Sequence, residues 1–318
     1  MSNKPSLLSR KLSVARSLSY SQRSSLLFDQ DEEDQNTLLY AACHRNETAT
    51  AATILSEYPE LDKNAKRGRL GSTALFASAL RGNTGIVELL LSYPAVDVNL
   101  ARDDGTTPLV IAAQEGHVAT CKMLLTSKNI QVNKATMNRS PLFMASYKNH
   151  VDVVRLLIVH KADSNQQESE GKLTPLMIAC SKGHQEIVNA LLYSDDIDIN
   201  LTDSAGQTAL FHSALHGHCE VLQALSVRRD IDGSICRKAD SSSPLQIACM
   251  MAHSSDTIAT ILATRNVDVH WINDDGKTAM SISEDAQHND VVVMLGLLGG
   301  RSTKKNGDGD LCKVCVVM

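Results

Sequence analysis

A short motif recurs along this chain at almost constant spacing, and it constrains the fold more than any other feature. A Thr or Ser followed by Pro or Ala and then Leu stands at Thr73-Ala74-Leu75, Thr107-Pro108-Leu109, Ser140-Pro141-Leu142, Thr174-Pro175-Leu176, Thr208-Ala209-Leu210 and Ser243-Pro244-Leu245. Successive Thr/Ser positions are 34, 33, 34, 34 and 35 residues apart. A degenerate first copy opens at Thr37-Leu38-Leu39 and a degenerate last copy at Thr278-Ala279-Met280, so about eight copies fill residues 35–299. A unit this short cannot bury its apolar face alone. Stacked on like units it can, which predicts a solenoid whose units touch only their neighbours.

The register within a copy has a physical reading. The Thr/Ser hydroxyl caps the free amides of a first helix, and Pro follows where its missing N–H costs nothing. Small residues come five and six places later, as in Ala112-Ala113, Ala145-Ser146, Ala179-Cys180 and Ala248-Cys249, and let neighbouring helices approach. Gly116-His117, Asn149-His150, Gly183-His184 and Gly217-His218 then supply a left-handed turn. A second apolar stretch follows at helical spacing, as in Val153-Val154-Leu156-Leu157. Copies close on an Asn in a polar, hairpin-like connector: Asn99, Asn133, Asn165, Asn200. Two irregularities are expected. Residues 226–240 predict a distorted second helix in the sixth copy, and the seventh has Ala252-His253-Ser254-Ser255 in place of the Gly-His turn.

This pattern resembles the ankyrin repeat, most clearly in GTTPLVIAAQEGHVATCKMLLTSKNIQVN, Gly105 to Asn133. The resemblance implies an all-α solenoid of about eight helix-turn-helix repeats with hairpin connectors. The family's His after Leu is here Phe76, Val110, Phe143, Met177, Phe211 or Gln246, which alters packing rather than chemistry. The resemblance also implies that a concave side, built from connectors and first helices, binds partner proteins. The residues seven and eight places beyond each Thr/Ser belong there: Gln114, Glu115, Tyr147, Lys148, Ser181, Lys182 and His216. Their mixed chemistry names no ligand class.

Composition agrees with a helical stack. Aromatic residues make up only 3%, so the layers must be filled by aliphatic and small side chains. A net charge of −5 gives no basic field for nucleic acid. No apolar run is long enough to span a bilayer, and no secretory signal follows Lys4. Eight cysteines, spread out in a chain without an export signal, read as reduced cytosolic thiols. No nucleophile elbow, zinc-protease motif, P-loop or dinucleotide fingerprint stands in a credible context, so neither catalysis nor a cofactor or metal is expected. His117, His150, His184 and His218 recur with the repeat and read as turn-stabilising residues rather than metal ligands.

The two ends differ from the repeats. Residues 1–34 are Ser-rich, basic and then acidic, which predicts a disordered tail. The basic part overlaps in composition with mitochondrial transit peptides. Arg10 and Arg16 each lie three residues before a serine, making Ser13 and Ser19 candidate sites for basophilic kinases. Residues 300–318 predict a flexible tail ending Cys315-Val316-Val317-Met318, which matches the prenylation box, with Met favouring farnesyl on Cys315. The prenyltransferase and a membrane surface are then expected partners. Cys312 is a candidate palmitoyl site; the rival reading of Cys312-x-x-Cys315 as a metal or redox pair is set behind prenylation, since no second pair lies nearby and no βαβ pattern surrounds it. One lipid chain binds marginally, and Arg301, Lys304, Lys305 and Lys313 would add attraction to an anionic leaflet. The reading is an adaptor at the cytoplasmic face of a membrane, the rival a soluble regulatory subunit or inhibitor that masks an enzyme or transcription factor.

Overall fold

A computed structural model describes residues 35–135 and 139–299. The described residues form sixteen helices in eight pairs. The first helices are α1 (Gln35–His44), α3 (Ala74–Arg81), α5 (Pro108–Gln114), α7 (Pro141–Tyr147), α9 (Pro175–Lys182), α11 (Ala209–His216), α13 (Pro244–Met250) and α15 (Ala279–Asp285). Their partners are α2 (Thr48–Glu57), α4 (Thr84–Leu91), α6 (Val118–Leu125), α8 (Val151–Val159), α10 (Gln185–Leu192), α12 (Cys219–Ser226), α14 (Ser255–Leu262) and α16 (Asn289–Gly299). Each first helix packs on the next first helix, each second helix on the next second helix, and the two of a pair on each other. The result is two rows of helices, an all-α repeat solenoid.

The recurring motif is the start of every first helix from the second copy on. Thr73, Thr107, Ser140, Thr174, Thr208, Ser243 and Thr278 each accept a hydrogen bond from the backbone amide three residues on. Each such cap contributes about 1 kcal/mol. Thr37 departs from this expectation: α1 continues back to Gln35, so Thr37 lies inside the helix. The Leu of each motif is buried, and the small pairs Ala112-Ala113, Ala145-Ser146, Ala179-Cys180 and Ala248-Cys249 are wholly buried between adjacent first helices. Burial pushes the Cys43 thiol up to about 11 and the Cys121 thiol to about 12, so both stay protonated. The six described cysteines are free thiols.

The connectors are turns closed by single backbone bonds, such as Arg102 N to Thr106 O at 3.0 Å and Asp203 N to Gln207 O at 2.9 Å. Among the described residues the bridge between Arg67 and Ser72 is bonded in both directions, a short antiparallel pair. The closing asparagines explain themselves here. Asn99 donates from Nδ2 to Asn129 O at 2.7 Å and accepts from Gln131 N at 2.8 Å, so one amide satisfies both polar groups in the following copy. Asn64, Asn165 and Asn200 repeat the double bond, and Asn133 accepts from Asp163 N. At Ser234 this ladder stops, and Gly233 N bonds Arg265 O at 2.9 Å instead.

Two expectations are corrected. The second helix of the sixth copy is regular: α12 runs over Cys219–Ser226, as long as α10, and the unusual residues belong to the connector behind it. There Asp240 takes a bidentate ion pair from Arg237, and the arginine and Ser242 hold its carboxyl far below the usual range against the opposing effect of burial. The seventh copy also keeps its turn. Ala252 adopts the left-handed conformation at φ 53°, and His253 bonds as the other turn histidines do.

Candidate protein-binding face

The turn histidines fix where the ends of the first helices lie. His117 Nε2 meets Leu80 O at 3.1 Å, His150 Nε2 meets Gln114 O at 2.9 Å, His218 Nε2 meets Ser181 O at 3.1 Å and His253 Nε2 meets Leu215 O at 3.0 Å. A carbonyl only accepts, so each of these nitrogens carries its proton. Every bond crosses from one copy to the last turn of the preceding first helix. In the second copy Asn83 does the same work, donating to Cys43 O at 2.7 Å. The rings lie against the preceding turn glycine so closely that a Cβ at Gly82, Gly116, Gly183 or Gly217 would stand 2.5–2.8 Å from ring atoms. Where that glycine is replaced by Asn149, His184 turns and uses Nδ1, reaching Ser146 O at 3.0 Å.

The clamps leave the seventh and eighth positions of the first helices at the surface. Gln114 and Glu115 engage each other, Nε2 to Oε1 at 3.0 Å. Ser181 is half-buried, and its carbonyl holds His218. His216 is exposed and stacks on His218 with ring centroids 5.9 Å apart. Partial burial, and then the rings of His218, His212 and His253, lower its pKa. Tyr147, Lys148 and Lys182 converge. The Tyr147 ring is 40% exposed, with Lys182 Nζ 4.3 Å and Lys148 Nζ 5.7 Å from its centroid. Cation–π contacts of this kind hold an ammonium over an aromatic face at the surface.

Beside Tyr147 opens a groove of about 500 Å³ between first helices and connector. Phe143, Met144 and Tyr147 of α7, Ile178 of α9 and Leu173 of the connector give it apolar walls, and Arg139, Glu168 and Glu170 complete its lining. The acids are already engaged. Glu168 is buried and accepts from the amides of Glu170, Gly171 and Leu173. Burial alone would raise its pKa, but these bonds and Arg139 hold it below the usual value. Glu170 pairs with Arg139 at 3.4 Å. Sequence reasoning named Tyr147 but missed Met144 and Ile178. Both stand four places beyond their Thr/Ser, and that shared register was the available signal.

Sequence reasoning also missed His212, a buried ring on α11 whose Nε2 lies 3.0 Å from Asp203 Oδ2. Burial lowers its pKa, and the Asp203 carboxylate offsets part of that shift. Asp203 also takes the amides of Ala205 and Gln207, so the pair ties connector to helix. Among the described residues no group of three or more His, Cys, Asp or Glu side chains is placed to hold a metal ion. No described helix is long and apolar enough to cross a membrane. Ser13, Ser19, Cys312 and Cys315 lie outside the described residues.

Comparison with known proteins places this architecture. A family model described as ankyrin repeats (3 copies) matches residues 11–101, 38–136, 91–168 and 142–235. The chain is similar to a transient receptor potential cation channel subfamily A member 1 homolog of Caenorhabditis elegans, 25% identical over 143 residues, 45% of this chain and 12% of that protein. It is similar to neurogenic locus notch homolog protein 1 of Homo sapiens, 28% identical over 144 residues, 45% of this chain and 6% of that protein. An ankyrin repeat protein of Rickettsia bellii is 31% identical over 101 residues, 30% of this chain and 55% of that protein. The chain thus spans a small part of the first two and about half of the third. With the overlapping family matches covering most of its length, the chain belongs to the ankyrin-repeat family.

Proposed function

We propose that this chain is a non-enzymatic adaptor that holds a partner protein on its first-helix face and is anchored to the cytoplasmic side of a membrane by a prenyl group on Cys315. Ankyrin repeats are protein–protein interaction scaffolds, and the observation that carries the binding half is the set of exposed side chains around Tyr147, Lys148 and Lys182. A stiff stack displays such side chains with little ordering cost, which favours association. Anchoring adds no contact; it raises the local concentration of whatever is bound.

The anchoring half rests on the box Cys315-Val316-Val317-Met318 and requires Met318 to carry the terminal carboxylate. Basic residues 301, 304, 305 and 313 would supply the second signal that a single lipid needs, and acylation of Cys312 is an alternative source of it. Intact-mass spectrometry of the chain purified from eukaryotic cells tests this, wild type beside Cys315→Ser. A farnesyl increment with loss of the last three residues, absent from the variant, is the expected result, and the variant should leave the membrane fraction. An unmodified terminus would discard the anchor and leave a soluble ankyrin regulator.

A further inference from the structure

We infer that the groove beside Tyr147 receives an extended segment of a partner protein carrying one large apolar side chain next to acidic residues. This deepens, and rests on, the reading of the chain as an interaction scaffold. Three observations lead to it. The slot is walled by Phe143, Met144, Leu173 and Ile178, which offers an apolar side chain burial without a polar cost. Its own acids are neutralised from within, Glu168 by three backbone amides and Glu170 by Arg139. Lys148 and Lys182 are not neutralised. Both ammonium groups sit within 6 Å of the Tyr147 ring centroid, and neither forms an ion pair among the described residues.

The unbalanced charge at this place is therefore positive, and it lies against the Tyr147 ring, which also lines the apolar slot. A peptide that fills the slot brings its next residues over Tyr147 to the two lysines, where carboxylates complete the cation pair. A basic segment would meet the two lysines, and the carboxylates that line the slot, Glu168 and Glu170, are already engaged. Complementarity of this kind acts mainly on selection and association rate.

A random peptide library displayed on phage, panned against the full chain, tests the inference, with the Lys148→Glu/Lys182→Glu chain as counter-target. Tyr147, Lys148, Lys182, Glu115 and His216, the side chains to be changed, are all exposed, so the variants should fold as the parent does. Enriched sequences should place Asp or Glu beside a large apolar residue. A fluorescein-labelled enriched peptide should lose about tenfold or more in affinity on the double variant and on Tyr147→Ala, and should bind faster as salt is lowered. Basic or charge-indifferent sequences, or equal affinity for the double variant, would overturn the inference. If the binders are instead lost on Glu115→Lys or His216→Asp, the scaffold reading stands without this groove. If no binder maps to the first-helix face, both fail.

Discussion

At the residue scale the buried His212 shows how a repeat position acquires local chemistry. Its ring is enclosed between α11 and the preceding connector and meets Asp203 at 3.0 Å, yet burial outweighs the carboxylate and its pKa lies below the ordinary 6.5. His216, on the same helix, is lowered too. In the unfolded chain both rings bind protons at higher pH than in the folded chain, so stability falls as pH drops through 6.5 toward the folded values. Urea unfolding at pH 7.5 and pH 5.5 should show this loss. His212→Asn, which can still donate to Asp203, should make the difference smaller, with His216 and His44 keeping part of it. A pH response unchanged by His212→Asn would show that the ring contributes none of it. The histidines at the turns were legible because they repeat. His212 was not, because its partner lies nine residues away in a connector whose shape no periodicity describes.

Among the elements, the turn between the two helices of a copy is where sequence and structure agree in function but differ in composition. The left-handed residue is Gly in four of the eight copies, and Asn46, Asn149, Ala252 and Gln287 in the first, fourth, seventh and eighth. A side chain there displaces the next histidine. His184, over Asn149, has turned to another nitrogen and an earlier carbonyl. The ring of His288, over Ala252, has a buried Nδ1 with no hydrogen-bond partner among the described residues. Ala252→Gly should remove the backbone strain and open the place the ring occupies elsewhere, letting His288 reach the carbonyl of Met250. Relief of a left-handed alanine, less the entropy of glycine, is about 0.5–1 kcal/mol, measurable as a raised thermal midpoint. An unchanged or lowered midpoint would show that the eighth copy is held in place by other contacts. The caps and small buried pairs were legible because each is a residue type fixed to one position. The regular course of α12 was not, since the odd composition of residues 226–240 belongs to a connector. Ala252-His253 was misread because only the identity of the turn residue, and not its conformation, is visible in the letters.

For the whole molecule, two rows of helices mean that cohesion is a chain of interfaces, each made only by adjacent copies. The repeat of one motif through about eight copies made this architecture legible, whereas the groove at Tyr147 depends on one connector's course and on which charges are spent within it. Among the polar ties between the fourth and fifth copies, which include Ser164 Oγ to Ser194 Oγ and Gln167 Nε2 to Thr202 O, two come from repeat positions. His184 bonds Ser146 O, and Asn165 donates to Asp196 O at 2.6 Å while accepting from Asp198 N at 2.9 Å. In a globular core the loss of these bonds would lower the stability of every residue alike. In a stack it weakens one junction, leaving the contacts within each block intact. His184→Ala/Asn165→Ala removes three hydrogen bonds, each worth about 0.5–1.5 kcal/mol net, and costs about 2–4 kcal/mol at that junction. Hydrogen exchange followed by mass spectrometry should then show the copies before and after the junction opening with different free energies, where the parent opens more nearly together. Uniform loss of protection from α3 to α14 would mean that coupling reaches beyond nearest neighbours, and the apolar contacts of Leu142, Leu176 and their small neighbours would have to carry it.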